Sequence, residues 1–221
     1  MKHSDIAIYT QGPVGPHLVK MTGFMVFGLV AIMSANLMET VYISFLGTDE
    51  LAALGFTFPI IMLIQSCAMG LSVGASSVVA RQIGEGKDTQ ARRVATHSLV
   101  IAVILSFALI AIVSPNLAAV FDFLGADANV RDLSIAYVQI WFVGLPLFAL
   151  SMVGSSLMRA MGDIARPGYL MALGAMLQIA FAPLFIFGFG DSSGFGLAGA
   201  AMGFVTARTV GFFFYVYFFI K

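Results

Sequence analysis

Glu39 is an acidic residue inside a long apolar stretch, three residues after Asn36. In a helix this spacing places both side chains on one face. Ionising a carboxylate in hydrocarbon is costly, so such a group must pair with another charge, coordinate a cation, contact water or hold a proton. Each of these states connects Glu39 either with transport or with structural pairing. Glu39 is therefore the first candidate for a functional residue.

The composition is that of an integral membrane protein. Of the 221 residues 60% are hydrophobic and 10% are charged, with a mean hydropathy of +0.98, whereas soluble domains are roughly 45 to 50% apolar. The apolar stretches are long enough for spanning helices of roughly 20 residues. Residues 99–113 are apolar on nearly all sides, which excludes the alternating pattern of an outer-membrane barrel.

The predicted fold class is an all-α membrane protein, a six-transmembrane-helix bundle. Residues 1–17 contain Pro13 and Pro16 and predict a flexible or interfacial arm in the cytoplasm. Short polar loops separate the apolar stretches that follow. The predicted spans are residues 18–46, 51–83, 92–121, 130–159, 167–190 and 197–220.

Most of the positive charges fall at one end of these spans. By the positive-inside rule this end, with both termini, lies in the cytoplasm. The sequence therefore predicts a multi-pass protein of the plasma membrane, which in a bacterium is the inner membrane. The basic residues at this end are Lys2, Lys20, Arg81, Lys87, Arg92, Arg93, Arg159, Arg166 and Lys221.

Catalytic and metal-binding patterns are absent from the sequence. Cys67 is the single cysteine, so no intramolecular disulfide can form. The histidines lack the spacing of metal ligands, and no phosphate-binding glycine loop or nucleophile arrangement occurs. We therefore predict neither an enzyme nor a metal site, no cofactor and no nucleic-acid partner.

Arg208 is a basic residue within the sixth predicted span. At about 1.5 Å per helical residue, its long side chain can reach the depth of Glu39. A salt bridge between the two would hold helices together and favour the ionised carboxylate. Arg208 could instead extend into a cleft, and the sequence leaves both possibilities open.

Two pairs of glycines have a spacing of four residues, Gly70 with Gly74 and Gly199 with Gly203. Small residues at this spacing let helices approach closely. We predict helix packing, and no ligand binding, at both pairs.

Three groups of short motifs occur in a fixed order along the chain. They are NLMETVYISFLG (36–47) with LAALG (51–55), VARQIGEGKD (79–88) with ARR (91–93), and RAMGD (159–163) with RP (166–167). Together they resemble the amino-terminal lobe of the MATE family, the multidrug and toxin extrusion transporters, over residues 18–221.

The resemblance implies a secondary antiporter that exports cationic or amphipathic compounds while protons or sodium ions enter. It also implies two six-helix lobes, parallel repeats around a central cleft, of which this chain supplies one. The expected partners are the lipid bilayer, small cationic or amphipathic substrates, and a second lobe or a second copy of the chain. Both a fragment and a natural half-transporter fit this arrangement.

The resemblance further implies a set of coupling-ion or substrate-binding residues. Glu39 stands where the family usually has Asp, and the fifth-span pattern of Asn, then Asp four residues later before Pro, is replaced by Gln178, Ala182 and Pro183. The second acid is missing, which favours protons over sodium ions because hard cations prefer several oxygen ligands. The predicted residues are Glu39, Asn36, Gln178 and Arg208.

Two other functions remain open at this point. The first is a lipid-linked oligosaccharide flippase or polysaccharide exporter of the same superfamily, although such proteins usually have a strongly cationic cleft. The second is a truncated membrane fragment that transports nothing by itself. Arg208 is the one base that the sequence places inside a span and away from its ends, which favours cation export over the flippase.

Overall fold

The computed structural model describes residues 14–163, 165–188 and 194–220, without the side chains of 14–18, 20, 21, 24 and 215–220. Lys2, Lys221 and most of the predicted arm lie outside the described residues, as does the side chain of Lys20. The described helices are α1 (Val14–Ser44), α2 (Thr48–Gly84), α3 (Asp88–Val113), α4 (Leu117–Phe123), α5 (Ala128–Ala160), α6 (Ala165–Phe187) and α7 (Gly196–Ile220).

Within the described part of the chain, the structure is all-helical and contains six segments long and apolar enough to cross a membrane. The third segment comprises α3, a 3-10 turn over Ser114–Asn116 and α4. The turn contains Pro115, whose missing N–H and ring disfavour a continuous α-helix. The predicted fold class, a six-helix membrane bundle, is confirmed.

The helix ends differ from the predicted spans by a few residues. Helix α1 already includes residues 14–17, which the sequence analysis assigned to the arm. Pro16 is tolerated there because the N–H groups of a first helical turn have no intrahelical acceptor. Helix α6 ends at Phe187 instead of residue 190 because Gly188 has a φ of 84°, the left-handed conformation that terminates helices.

Helix α5 lies at the centre of the bundle and packs against α2, α3 and α7, while α6 packs against α1 and α7. The α5 side chains Val138, Trp141 and Leu145 are buried in the main core. A second, alanine-rich cluster joins α2, α3 and α5 further along these helices. This arrangement brings α1, α5, α6 and α7 together around one interior region.

Helices α6 and α7 approach each other closely at one of the predicted glycine pairs. A Cβ atom at Gly199 would meet the carbonyl oxygen of Phe185, and one at Gly203 would lie 2.9 Å from Cα of Ala182. The packing prediction is confirmed there. It is wrong within this lobe for Gly70 and Gly74 on α2, where an added Cβ would have no neighbour within 4 Å.

The glycine contact gives a first test of the fold. Gly203→Val should destabilise the protein by about 1–3 kcal/mol because backbone atoms cannot move aside as a flexible side chain can. Gly70→Val is the matched control and should change stability by less than about 0.5 kcal/mol. Thermal unfolding in detergent measures both, and equal effects at the two positions would contradict the close α6–α7 contact.

Charged side chains form contacts at the two ends of the bundle. At the end with the α1–α2 and α4–α5 connections, Arg131 lies 3.1 Å from Asp122 and 3.2 Å from Asp132. At the opposite end Glu85 lies 3.1 Å from Arg81 and 2.7 Å from Lys87. We refer to these as the acidic end and the basic end.

Candidate functional site

Glu39 is buried where α1, α5 and α6 meet, with 8% of its surface exposed. The hydroxyl of Tyr137 donates to Oε1 at 2.9 Å, and Nε2 of Gln178 donates to Oε2 at 2.8 Å. Both donors are buried as well. Because both are neutral, a proton can join or leave the carboxylate without breaking an ion pair to either of them.

The local sequence of α1 explains why Glu39 points inward. Ala35, Glu39 and Ile43 are four residues apart and all buried, so they form one stripe along the helix. Asn36, on the neighbouring part of the helix surface, is exposed. The structure therefore brings Gln178 to Glu39 and leaves Asn36 outside the buried site, and a binding role for Asn36 stays a prediction.

Tyr137 is the site residue that the sequence analysis missed. Its signal was present, because a tyrosine inside an apolar span requires a hydrogen-bond partner for its hydroxyl. Sequence spacing cannot identify that partner, since Tyr137 and Glu39 are 98 residues apart. The contact depends on how α6 and α7, which pack between them, place α1 relative to α5.

Arg208 occupies a separate aromatic layer of the same interior region. Its Cζ lies 5.0 Å from the ring centre of Phe204 and 5.4 Å from that of Phe148. The ring of Trp141 stacks on the ring of Phe204, with 5.4 Å between the two ring centroids. Aromatic faces attract a guanidinium through their quadrupole, most strongly where water is excluded.

The aromatic layer that contains Arg208 lies about one helical turn from Glu39 along the axes of α5 and α6. On α6, Gly174 precedes Gln178 by four residues, and a Cβ there would lie 3.7 Å from an Nη of Arg208. On α5, Trp141 follows Tyr137 by four residues. Since four residues correspond to about 6 Å along a helix, Arg208 is close enough to attract the Glu39 carboxylate.

Ala182, which stands where the family usually has a second acid, is a helix-packing residue. Ala182 is 1% exposed and lies against Gly203 of α7. The contact of Ala182 with Gly203 lets α6 and α7 approach each other closely. Because alanine carries no charge, Glu39 supplies the carboxylate at this site. Among the described residues, no three His, Cys, Asp or Glu side chains lie together as a metal site would require.

Comparison with known proteins identifies the family. The MatE family model matches residues 25–184. The chain belongs to the MATE family. The solved structure of a MATE transporter in complex with MaD3S superimposes with a TM-score of 0.85 at 33% identity, over 91% of this chain and 44% of that chain. Relatives of this MATE chain are transporters, and the chain is therefore a multi-pass membrane protein.

Two curated relatives show the range of substrates within the family. A FAD transporter from Shewanella oneidensis is 36% identical over 86% of this chain and 42% of its own length. The multidrug export protein MepA from Staphylococcus aureus is 23% identical over the whole chain and 48% of its own length. This MATE chain spans less than half the length of both relatives, which corresponds to one lobe.

Proposed function

We propose that this chain forms one lobe of a proton-coupled antiporter that exports cationic or amphipathic compounds. The observation that supports this most is the buried Glu39, held by a tyrosine hydroxyl and an amide. Both donors are neutral, so protonation of Glu39 breaks no ion pair to either, and the Tyr137 hydroxyl can rotate to accept from the protonated carboxyl. A site with one carboxylate suits a proton better than a sodium ion, which prefers several oxygen ligands.

Exchange follows from competition for one carboxylate. A cationic substrate interacts favourably with the ionised form of Glu39 and gains little from the protonated form. Proton uptake from the side of the membrane with the lower pH therefore releases the substrate there. Proton loss on the other side restores the carboxylate anion. No second coupling residue is required for this cycle.

We further propose how the chain is oriented in the membrane and what supplies the other half of the transport cleft. The basic end faces the cytoplasm of a plasma membrane, or of the inner membrane of a bacterium, because Arg81, Lys87 and Arg159 belong to that end. The other half of the cleft comes from a second lobe or from a second copy of this chain, related by an axis along the membrane normal.

Flavin nucleotide transport is a second candidate function. It is favoured by the 36% identity to the FAD transporter and by Arg208, a cation on aromatic rings inside the membrane-spanning region. Arginine is well suited to phosphate groups because its planar donors match their oxygens.

Efflux from vesicles tests the proposed function. We expect vesicles holding the 221-residue chain to export a fluorescent cationic dye only under a pH gradient, and Glu39→Gln to abolish this dependence. Glu85→Gln at the exposed basic end is the matched acid-to-amide control and should behave as the wild type does. Gradient-dependent efflux that persists in Glu39→Gln would contradict the proposal, whereas folded protein without efflux would mean that the second lobe is required.

A further inference from the structure

We propose that a groove between α3 and α5 binds a neutral, hydroxyl-bearing amphiphile from the surrounding bilayer. The groove has a volume of about 340 Å³. The residues that line it are Phe107, Ile110, Ser114, Gln139, Phe142, Val143 and Pro146. The groove is separate from the Glu39 site, and the inference does not depend on proton coupling.

The groove and the Glu39 site lie on opposite sides of α5. Tyr137 and Gln139 are two residues apart, so their side chains leave the helix in nearly opposite directions. Tyr137 is buried against Glu39, whereas Gln139 is exposed. Beside Gln139, the groove residues Phe107 and Val143 are 60% and 69% exposed. A ligand can therefore enter the groove from outside the lobe without passing the Glu39 site.

The two polar side chains of the groove lie at a similar depth within the membrane spans. Gln139 follows Arg131, which belongs to the acidic end, by eight residues of α5, about 12 Å. Ser114 precedes Phe123, the last residue of α4, by nine residues, about 14 Å. Both residues belong to segments long and apolar enough to cross a membrane. The hydrocarbon core is about 30 Å thick, so both groups lie below the charged end of the bundle.

Three hydrogen-bonding groups in the groove lack their usual partners. Within the described part of the chain, neither the Gln139 amide nor the Ser114 hydroxyl forms a hydrogen bond. Pro146 has no N–H, so the carbonyl of Phe142 loses the donor that a helix normally supplies four residues later. Hydrocarbon offers no replacement, and each unsatisfied polar group there costs free energy. The groove therefore favours a ligand that both donates and accepts hydrogen bonds.

The lining also selects the charge and the size of the ligand. All seven lining residues are uncharged and most are apolar, which suits a neutral group on an apolar body. A hydroxyl can accept from the Gln139 amide and donate to the carbonyl of Phe142. The volume falls within the range of small-molecule sites, about 300–1,000 Å³. An alkyl chain or a ring system fits inside, whereas a partner helix, about 10 Å across, would only cover the opening.

Quenching of the single tryptophan tests the inference. The ring centroid of Trp141 lies 6.3 Å from that of Phe142, which forms a wall of the groove. Bromine atoms quench indole fluorescence at short range, so the probes are a brominated long-chain alcohol and the matching brominated alkane, in bilayers holding the purified chain. We expect Gln139→Leu to raise the mole fraction of alcohol that half-saturates quenching by roughly fivefold, as for one net hydrogen bond. Quenching by the alkane should stay unchanged.

Gln65→Leu is the matched control, because Gln65 is an exposed glutamine of α2 outside the groove. It should bind the alcohol as the wild type does. Gln139→Leu should unfold at a temperature no lower than the wild type, since it removes an unsatisfied amide from hydrocarbon, which separates lost binding from lost folding. Equal quenching by the alcohol in the wild type and Gln139→Leu would overturn the inference. Quenching that does not saturate in the wild type would mean that another helix covers the groove, and would overturn it as well.

Discussion

Glu39→Leu should destabilise the lobe by about 3 kcal/mol, because it deprives the buried Tyr137 hydroxyl and the buried Gln178 amide of their acceptor. A buried polar group left without a partner costs about 1–3 kcal/mol. In a protein of this size the expected fall in unfolding temperature is roughly 6–12 °C.

A double variant separates the lost hydrogen bond from other damage. Tyr137→Phe combined with Glu39→Leu should lose less stability than the sum of the two single effects, because the hydroxyl that Glu39→Leu leaves without its acceptor is removed as well. Glu39→Gln should cost less than Glu39→Leu because its amide retains an acceptor for Tyr137. Thermal unfolding in detergent measures all of these variants. A double variant that loses the sum of the two single effects would show that Tyr137 and Glu39 are not coupled.

Phe204→Ala should also be strongly destabilising, by about 3–5 kcal/mol. Phe204 is 6% exposed, stacks on Trp141 and lies beneath the Arg208 guanidinium. Its loss opens a cavity in the main core and removes one ring that holds Arg208.

Phe123 provides a matched control for this substitution. It lies at the end of α4 and is 90% exposed, so Phe123→Ala should change stability by less than about 0.5 kcal/mol. The unfolding temperatures of the two variants and the wild type check the prediction. Similar losses in both variants would contradict the role assigned to the aromatic layer around Arg208.

The fold could be predicted from sequence because each spanning helix carries its own signal. Length and continuous apolarity identify a span without reference to its neighbours, as they do for α5 and α7. The ends were less predictable, since they depend on single residues such as Pro16 and Gly188. Which glycine pair lies at a close helix contact was not predictable. Gly70 and Gly199 have the same local pattern, and only the packing of the helices distinguishes them.

The candidate site was predictable only in part. Glu39 and Arg208 are conspicuous because ionisable groups are rare within spans, and Gln178 was identified through the resemblance to the MATE family. Tyr137 was missed because a tyrosine in a span also occurs as an ordinary packing residue. Its contact with Glu39 depends on how α6 and α7 place α1 relative to α5, which sequence spacing does not determine.

Proton counting during ligand binding tests the central claim most directly. Calorimetric titration of the purified chain with a cationic dye, in buffers of different ionisation enthalpy, gives the number of protons released per dye bound. We predict a release approaching about one proton for the wild type and none for Glu39→Gln. Equal proton release by the two proteins would show that another group carries the proton and would contradict the role assigned to Glu39.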